Sequence, residues 1–304
     1  MRALVISGGG SKGAFAGGIA EYLIRDCCRE YDLYVGCSTG SLLLPHLALG
    51  DIEKIKTIYT HVTQKDIFSN CPFRIKKTKT GTETTISHWN TLKSFLKGSA
   101  SFGDSLHLKK LIQEKITEME FHALVASDKK IVFTVSNLSL HQMEYINALS
   151  CSYEDFCEWA WLSCNYTPFM SLHQKNGHFY ADGGFGNFIP IVHALEQGAT
   201  TLDVIILECE TPTPLQNPPR NPFSLLLRTF KFMNYHNYSK DVVIGRLVGL
   251  KQEVTLNLYY TPKPLTDNPL HFDPIQMKQW WEEGYRFAQS TAPESYCTPL
   301  HLSI

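Results

Sequence analysis

The sequence predicts an α/β protein, a three-layer α/β/α sandwich around a mostly parallel sheet. Three observations carry that expectation. Short apolar runs alternate with helical periodicities from the N-terminus onward. The runs read as fully buried strands. The first two of them end in glycine-rich turns that lead directly into helices.

The elements follow in order. Arg2 to Ser7 is a strand with Leu4, Val5 and Ile6 consecutive, and Ala14 to Cys28 carries Phe15, Ile19, Tyr22 and Leu23 at helical spacing. Leu33 to Val35 is a second strand, followed by a helix bearing Leu42, Leu43, Leu47 and Leu49; Asp51 to Val62 is an amphipathic helix. Between Asn70 and Ser105 regularity is lost, and the polar, basic "RIKKTKTGTETT" reads as an exposed excursion. Helical periodicity resumes at Leu106, Leu108, Leu111, Ile112 and Ile116. Ile131–Val135, Tyr145–Leu149, His178–Ala181, Val204–Leu207 and Glu253–Tyr260 are strand-like, whereas Tyr153–Cys164, Pro190–Gln197 and Pro274–Ala288 are helical. Thr211 to Pro222 is a proline-rich loop and the best candidate boundary. The pattern beyond it continues in the same rhythm, so residues 1–304 are expected to form one domain, with a core over about 2–207 completed by 221–290.

Composition narrows the function. The chain has 304 residues, 43% hydrophobic and 19% charged, enough to bury a sizeable core. Lys+Arg number 28 against 29 Asp+Glu, so the basic footprint of a nucleic-acid binder is missing. Apolar runs fall well short of the roughly 20 residues that span a bilayer. No secretory apolar region follows Met1-Arg2. The nine cysteines are scattered without metal-ligand spacing, so reduced thiols, no metal and no cofactor are expected. These readings place the protein in the cytoplasm or peripherally at a membrane.

Three motifs carry chemistry. In "VISGGGSKGAF", Gly8, Gly10 and Gly13 satisfy the spacing of a dinucleotide fingerprint. That fingerprint also needs an acidic residue at the end of the second strand, where this chain has Gly36-Cys37-Ser38-Thr39-Gly40. A Walker loop fails because Lys12 precedes Gly13. "GCSTG" has the form of a nucleophile elbow, in which Gly36 and Gly40 let strand and helix backbones approach while Ser38 projects from the turn. "YADGGFGN" sets Asp182 at a strand end before Gly183 and Gly184, a pattern shared with ordinary Asp-Gly turns.

In this order the three motifs resemble the signatures of the patatin-like phospholipase family: Gly8-Gly9-Gly10-Ser11-Lys12-Gly13, then Gly36-Cys37-Ser38-Thr39-Gly40, then Asp182-Gly183-Gly184. "LSCNYTPFM" and "VSNLSLHQMEYI" resemble the family's intervening blocks, so the likeness covers Arg2 to about Leu207. The resemblance implies a Ser38–Asp182 dyad, without histidine, that cleaves lipid acyl esters through an acyl-serine intermediate. It also implies an oxyanion hole at the glycine turn, from the N–H groups of Gly9 and Gly10 with Gly8 or Ser11 assisting. Lys12 either fixes the turn by bonding to nearby carbonyls or contacts substrate.

Four readings compete. An α/β-hydrolase triad would recruit His193, His236 or His271, but only 37 residues precede Ser38, room for about two strands. A nucleotide-binding enzyme leaves "GCSTG" and "DGG" unexplained. A carboxylesterase for short acyl chains shares every catalytic residue. A non-catalytic lipid-binding relative would not need Ser38 and Asp182. The expected partner is a lipid or ester substrate. The basic cluster from Phe73 to Lys79 and the apolar stretch Phe223 to Tyr238 are candidates for transient membrane contact. Their plainer roles are a solvated loop and a core helix. Trp280 and Trp281 are expected to anchor the C-terminal helix, and Cys37 to pack inward.

Overall fold

The computed structural model describes residues 1–78, 81–211, 219, 222–291 and 294–296. The first half of the chain runs β1 (Arg2–Ile6), α1 (Gly13–Glu21), β2 (Leu33–Cys37), α2 (Thr39–Leu49), α3 (Ile52–His61), α4 (Gln64–Ile67), β3 (Phe73–Thr78), β4 (Gly81–Ile86), α5 (His88–Leu96), α6 (Leu106–Lys115) and α7 (Glu118–Val125). The second half follows with β5 (Lys130–Asn137), β6 (Gln142–Asn147), α8 (Tyr153–Ser163), β7 (His173–Lys175), β8 (His178–Asp182), α9 (Ile191–Glu196), β9 (Thr201–Ile206), α10 (Pro222–Lys251), β10 (Thr255–Tyr260), α11 (Pro274–Ser290) and β11 (Glu294–Tyr296).

The expected sandwich is present. The centre of the sheet, in the order β10-β9-β1-β2-β5, is entirely parallel, and antiparallel strands are added at both edges. Strand alternation sorts side chains into the two outer layers. Leu4 and Ile6 join the core packed under α1, α2, α3, α6, α8 and α11. Ala3 and Val5 face the opposite way, into a smaller core under α9 and α10. Both cores are apolar, so the central strands read as continuous hydrophobic runs.

The excursion from Asn70 to Ser105 is more ordered than its composition suggested. β3 and β4 pair antiparallel as a separate two-stranded sheet, and α5 follows them. The hairpin lacks an alternating apolar face, and α5 turns its apolar side outward, so neither carries the usual periodic signal. Lys79 and residues 212–218 of the proline-rich run lie outside the described residues. Beyond that run, β10 pairs parallel with β9 and extends the same sheet.

The C-terminal helix is locked to the first. Trp281 is fully buried, Trp280 is nearly so, and Trp281 Nε1 donates to Glu21 Oε2 at 2.5 Å. α1 and α11 touch at their backbones because glycines face each other. A β-carbon at Gly18 would lie 2.0 Å from the Trp281 carbonyl oxygen, and one at Gly284 would lie 2.1 Å from that of Phe15. Neither obstacle is a flexible side chain, so the helices themselves would have to separate. Gly18→Val should therefore lower unfolding stability by about 3 kcal/mol, read as a shifted midpoint in urea denaturation. An unchanged midpoint would show that the close approach is not required.

Candidate active site

The site is assembled by strand register along β5. β6 occupies one edge of β5 from Val132 to Asn137. The other edge is shared end to end by β2, whose Cys37 pairs with Thr134, and β8, whose Asp182 pairs with Val135. β2 can yield the edge only if its chain turns away at once. Ser38 does so with φ 52° and ψ −122°, a left-handed backbone that non-glycine residues adopt rarely and at a cost of about 1–3 kcal/mol. The turn holds because its neighbours are glycines. A β-carbon at Gly36 would lie 2.6 Å from the Ser41 nitrogen, and one at Gly40 would lie 2.3 Å from the Ile6 carbonyl oxygen.

This register brings Ser38 and Asp182 side by side into one cleft. Both are nearly buried, 8% and 3% exposed. Desolvation pushes the Asp182 carboxyl up to about 7, while Ser38 and the Gly184 N–H act in the opposite direction. The Gly184 N–H donates to Asp182 Oδ1 at 2.8 Å. Gly183 passes so close to β5 that a β-carbon there would lie 2.5 Å from the Thr134 carbonyl oxygen. α10 steadies the loop that follows: Asp241 accepts the Phe188 and Ile189 N–H groups at 2.7 and 3.0 Å.

The glycine turn is more selective than its three glycines suggest. The Gly8 N–H donates to the Phe188 carbonyl at 3.3 Å and the Ser11 N–H to the Pro269 carbonyl at 2.8 Å. Among the described residues the N–H groups of Gly9 and Gly10 have no partner, and both glycines line the cleft that holds Ser38. Gly10 has φ +56°, and a β-carbon there would meet the Pro269 carbonyl oxygen at 2.2 Å. Lys12 is buried and donates to the Leu207 carbonyl and to Glu208, each at 2.5 Å, tying the turn to the end of β9. Gly13 makes room for Thr39, whose hydroxyl lies 2.6 Å from the Tyr59 hydroxyl.

The cleft measures about 1090 Å³, its open mouth included, and is overwhelmingly apolar away from Ser38. Three helices each give it one face. α2 supplies Thr39, Leu42 and His46; α3 supplies Ile55, Ile58 and Tyr59, with Val62 just past its end; α6 supplies Leu108, Leu111, Ile112 and Lys115. Spacings of three, four and seven residues align these side chains along the helices. Ser38 sits at the N-terminus of α2 and His46 eight residues on, so the channel runs for about 12 Å beside that helix. At its far end His46 Nε2 lies 3.2 Å from the Lys115 carbonyl oxygen.

Two contributors lie in the "LSCNYTPFM" block, whose resemblance to the family gave them no individual role. Ser163 Oγ accepts the Ser38 N–H at 3.1 Å and lies 2.8 Å from Ser41 Oγ, across more than a hundred residues of chain. The Cys164 thiol lines the cleft and is pushed well up by burial. Cys37 is fully buried, as expected. His193 stacks on Tyr145 at 4.0 Å and His236 lies against Phe232, and neither reaches the cleft, whose histidine is His46.

Sequence comparison places these motifs among known proteins. The profile of a family described as Patatin-like phospholipase matches residues 4–195. The chain belongs to the patatin-like phospholipase family. Among solved structures, VipD from Legionella pneumophila aligns with 97% of this chain and 68% of its own, at 14% identity and a TM-score of 0.48. No curated protein matches the chain in a sequence search.

Burial of Asp182 has a consequence for stability. Its folded pKa, about 7, lies above the ordinary 3.8, so the folded state holds this proton more tightly. Stability is then lost as pH rises from about 4 to about 7, by up to about 4 kcal/mol. Asp182→Asn cannot titrate, so wild type should lose stability relative to that variant between pH 5 and pH 8 in chemical denaturation. A pH-independent difference would contradict the assigned burial. Lys12→Ala should cost about 2 kcal/mol, because it strips a charged donor from two acceptors; an unchanged unfolding midpoint would show that Lys12 does not anchor the turn.

Proposed function

We propose that the protein hydrolyses fatty-acyl esters of lipids, in the manner of a phospholipase A or lysophospholipase, with Ser38 as nucleophile and Asp182 as general base. One observation supports the reading: Ser38 and Asp182, set side by side by strand register, line the head of an apolar channel long enough for an acyl chain.

Asp182 takes the Ser38 hydroxyl proton as Oγ attacks the ester carbonyl carbon. Negative charge moves to the carbonyl oxygen, where the Gly9 and Gly10 N–H groups can receive it. Removing a single such donor in other hydrolases costs about 3 kcal/mol of transition-state stabilisation. The tetrahedral centre collapses, the alcohol leaves with the proton held by Asp182, and an acyl-Ser38 ester remains. Water then gives a proton to Asp182 and attacks that ester, and the proton returns to Ser38 Oγ as the fatty acid departs. An aspartate near pKa 7 is a far better base at neutral pH than one near 4.

A nucleotide reading of the glycine turn fares worse. Lys12, the cation that would meet a phosphate, is engaged with Glu208 and the Leu207 carbonyl. The short-chain carboxylesterase reading retains the same chemistry and differs in what the channel binds. Ile112 lies on the channel wall, so Ile112→Trp should lower kcat/KM for a decanoyl ester at least about tenfold while sparing the acetyl ester. Equal losses on both would favour the short-chain reading.

The base must be unprotonated to act, so kcat/KM on a soluble ester should rise with pH through a single apparent pKa near 7 and level off above it. Ser38→Ala should abolish turnover at every pH. A profile that is flat across this range, or activity retained by Ser38→Ala, would sink the mechanism.

A further inference from the structure

Helix α5 is amphipathic in the opposite sense to an ordinary surface helix. Its inward face is polar. Asn70 Nδ2 donates to the Asn90 carbonyl at 3.1 Å and to Ser94 Oγ at 2.7 Å. Asn90 Nδ2 donates to the Cys71 carbonyl at 2.8 Å, and Ser94 Oγ to the Phe102 carbonyl at 3.2 Å. Its outward face is apolar: Trp89 is 76% exposed, Leu92 47%, Phe95 54% and Leu96 80%. On a helical projection these four span an arc of roughly 120°. Single exposed apolar side chains need no explanation, but four on one helix face form a contiguous patch.

Cations flank this patch. Lys93 and Lys97 are exposed on the flank of the arc, and Arg74 is exposed on β3. From 73 to 103 the sequence carries six basic residues against one acidic, Glu83, although the whole chain has a formal net charge of −1. The hairpin and the helix are joined at their bases, where the Ser87 N–H donates to the Pro72 carbonyl at 2.7 Å. Apolar and aromatic residues flanked by cations are what an anionic lipid interface takes up: rings and chains enter the acyl boundary while cations meet headgroups.

We propose that the outward face of α5, with the basic β3–β4 hairpin beside it, seats the protein on an anionic phospholipid surface. Its purpose rests on the lipid-hydrolase reading; its geometry does not. A second copy of the chain or an apolar protein partner would account for the exposed rings but not for the concentration of positive charge. A row of aromatic rings runs from the patch to the cleft. Phe95 packs on Phe102, Phe102 on Phe169 and Phe169 on Tyr166, with ring centroids 6.1, 6.0 and 6.0 Å apart, and Tyr166 is part of the cleft wall.

Co-sedimentation of the full chain with phosphatidylcholine vesicles, with and without phosphatidylserine, tests this. Wild type should partition onto the phosphatidylserine vesicles, and Trp89→Ser/Leu96→Ser should lose about tenfold or more of that partitioning. Both side chains project into solvent, so the double variant should hydrolyse a soluble short-chain ester at the wild-type rate. Lys93→Glu/Lys97→Glu should abolish the preference for phosphatidylserine. Equal sedimentation of wild type and Trp89→Ser/Leu96→Ser would overturn the proposal, as would wild-type binding indifferent to phosphatidylserine. A dimer that the double variant loses, without vesicle binding, would assign the face to a second copy instead. Failure of the hydrolase reading is separately visible, as absent hydrolysis of the soluble ester with vesicle binding intact.

Discussion

Strand β5 has two edges, and the way they are divided decides where the two key side chains meet. β6 fills one of them, so β2 and β8 are left to share the other, arriving from opposite directions and stopping one residue apart. Neither could extend without displacing the other. The residue that ends β2 is followed by Ser38, forced into a left-handed turn, and the residue that ends β8 is Asp182. Their proximity is therefore a consequence of backbone pairing and does not depend on flexible side-chain reach. Small residues around the junction follow from the same constraint, since Gly36, Gly40 and Gly183 each face backbone atoms at distances no β-carbon tolerates.

That placement also sets the electrostatics. The carboxylate at the end of β8 is deprived of water, a loss that the Gly184 N–H offsets only in part. Among the described residues the only histidine lining the cleft is His46, about 12 Å along α2 from Ser38. The same burial weakens the fold as pH rises from about 4 to about 7, a local cost of keeping a base dry. The glycine turn shows a comparable economy. Phe188 and Pro269 occupy the Gly8 and Ser11 donors, fixing the loop, and the two N–H groups left over belong to glycines that line the cleft.

Much of this was legible in the sequence, and the limits are physical. Buried parallel strands announce themselves by composition, so β1, β2, β5 and β9 are apparent from their apolar runs. Motifs confined to a few consecutive residues, the glycine turn, the elbow and the Asp-Gly-Gly strand end, are visible for the same reason. The block holding Ser163 was visible but its role was not, because that role depends on a contact across the fold, with the Ser38 N–H. Nor was the channel, since amphipathic stripes on α3 and α6 look alike whether they pack on core or line a cleft. Helix α5 escaped because its pattern is inverted: Asn90 and Ser94 face the body of the protein, while Trp89 and Leu96 face water.

Reaction of a fluorophosphonate with the protein, followed by intact-mass and peptide mass spectrometry, tests the central pairing most directly. The account predicts a single adduct, located on Ser38, whose rate of formation increases with pH through about 7 and collapses in Asp182→Asn. An adduct elsewhere, or equal labelling of wild type and Asp182→Asn, would contradict it.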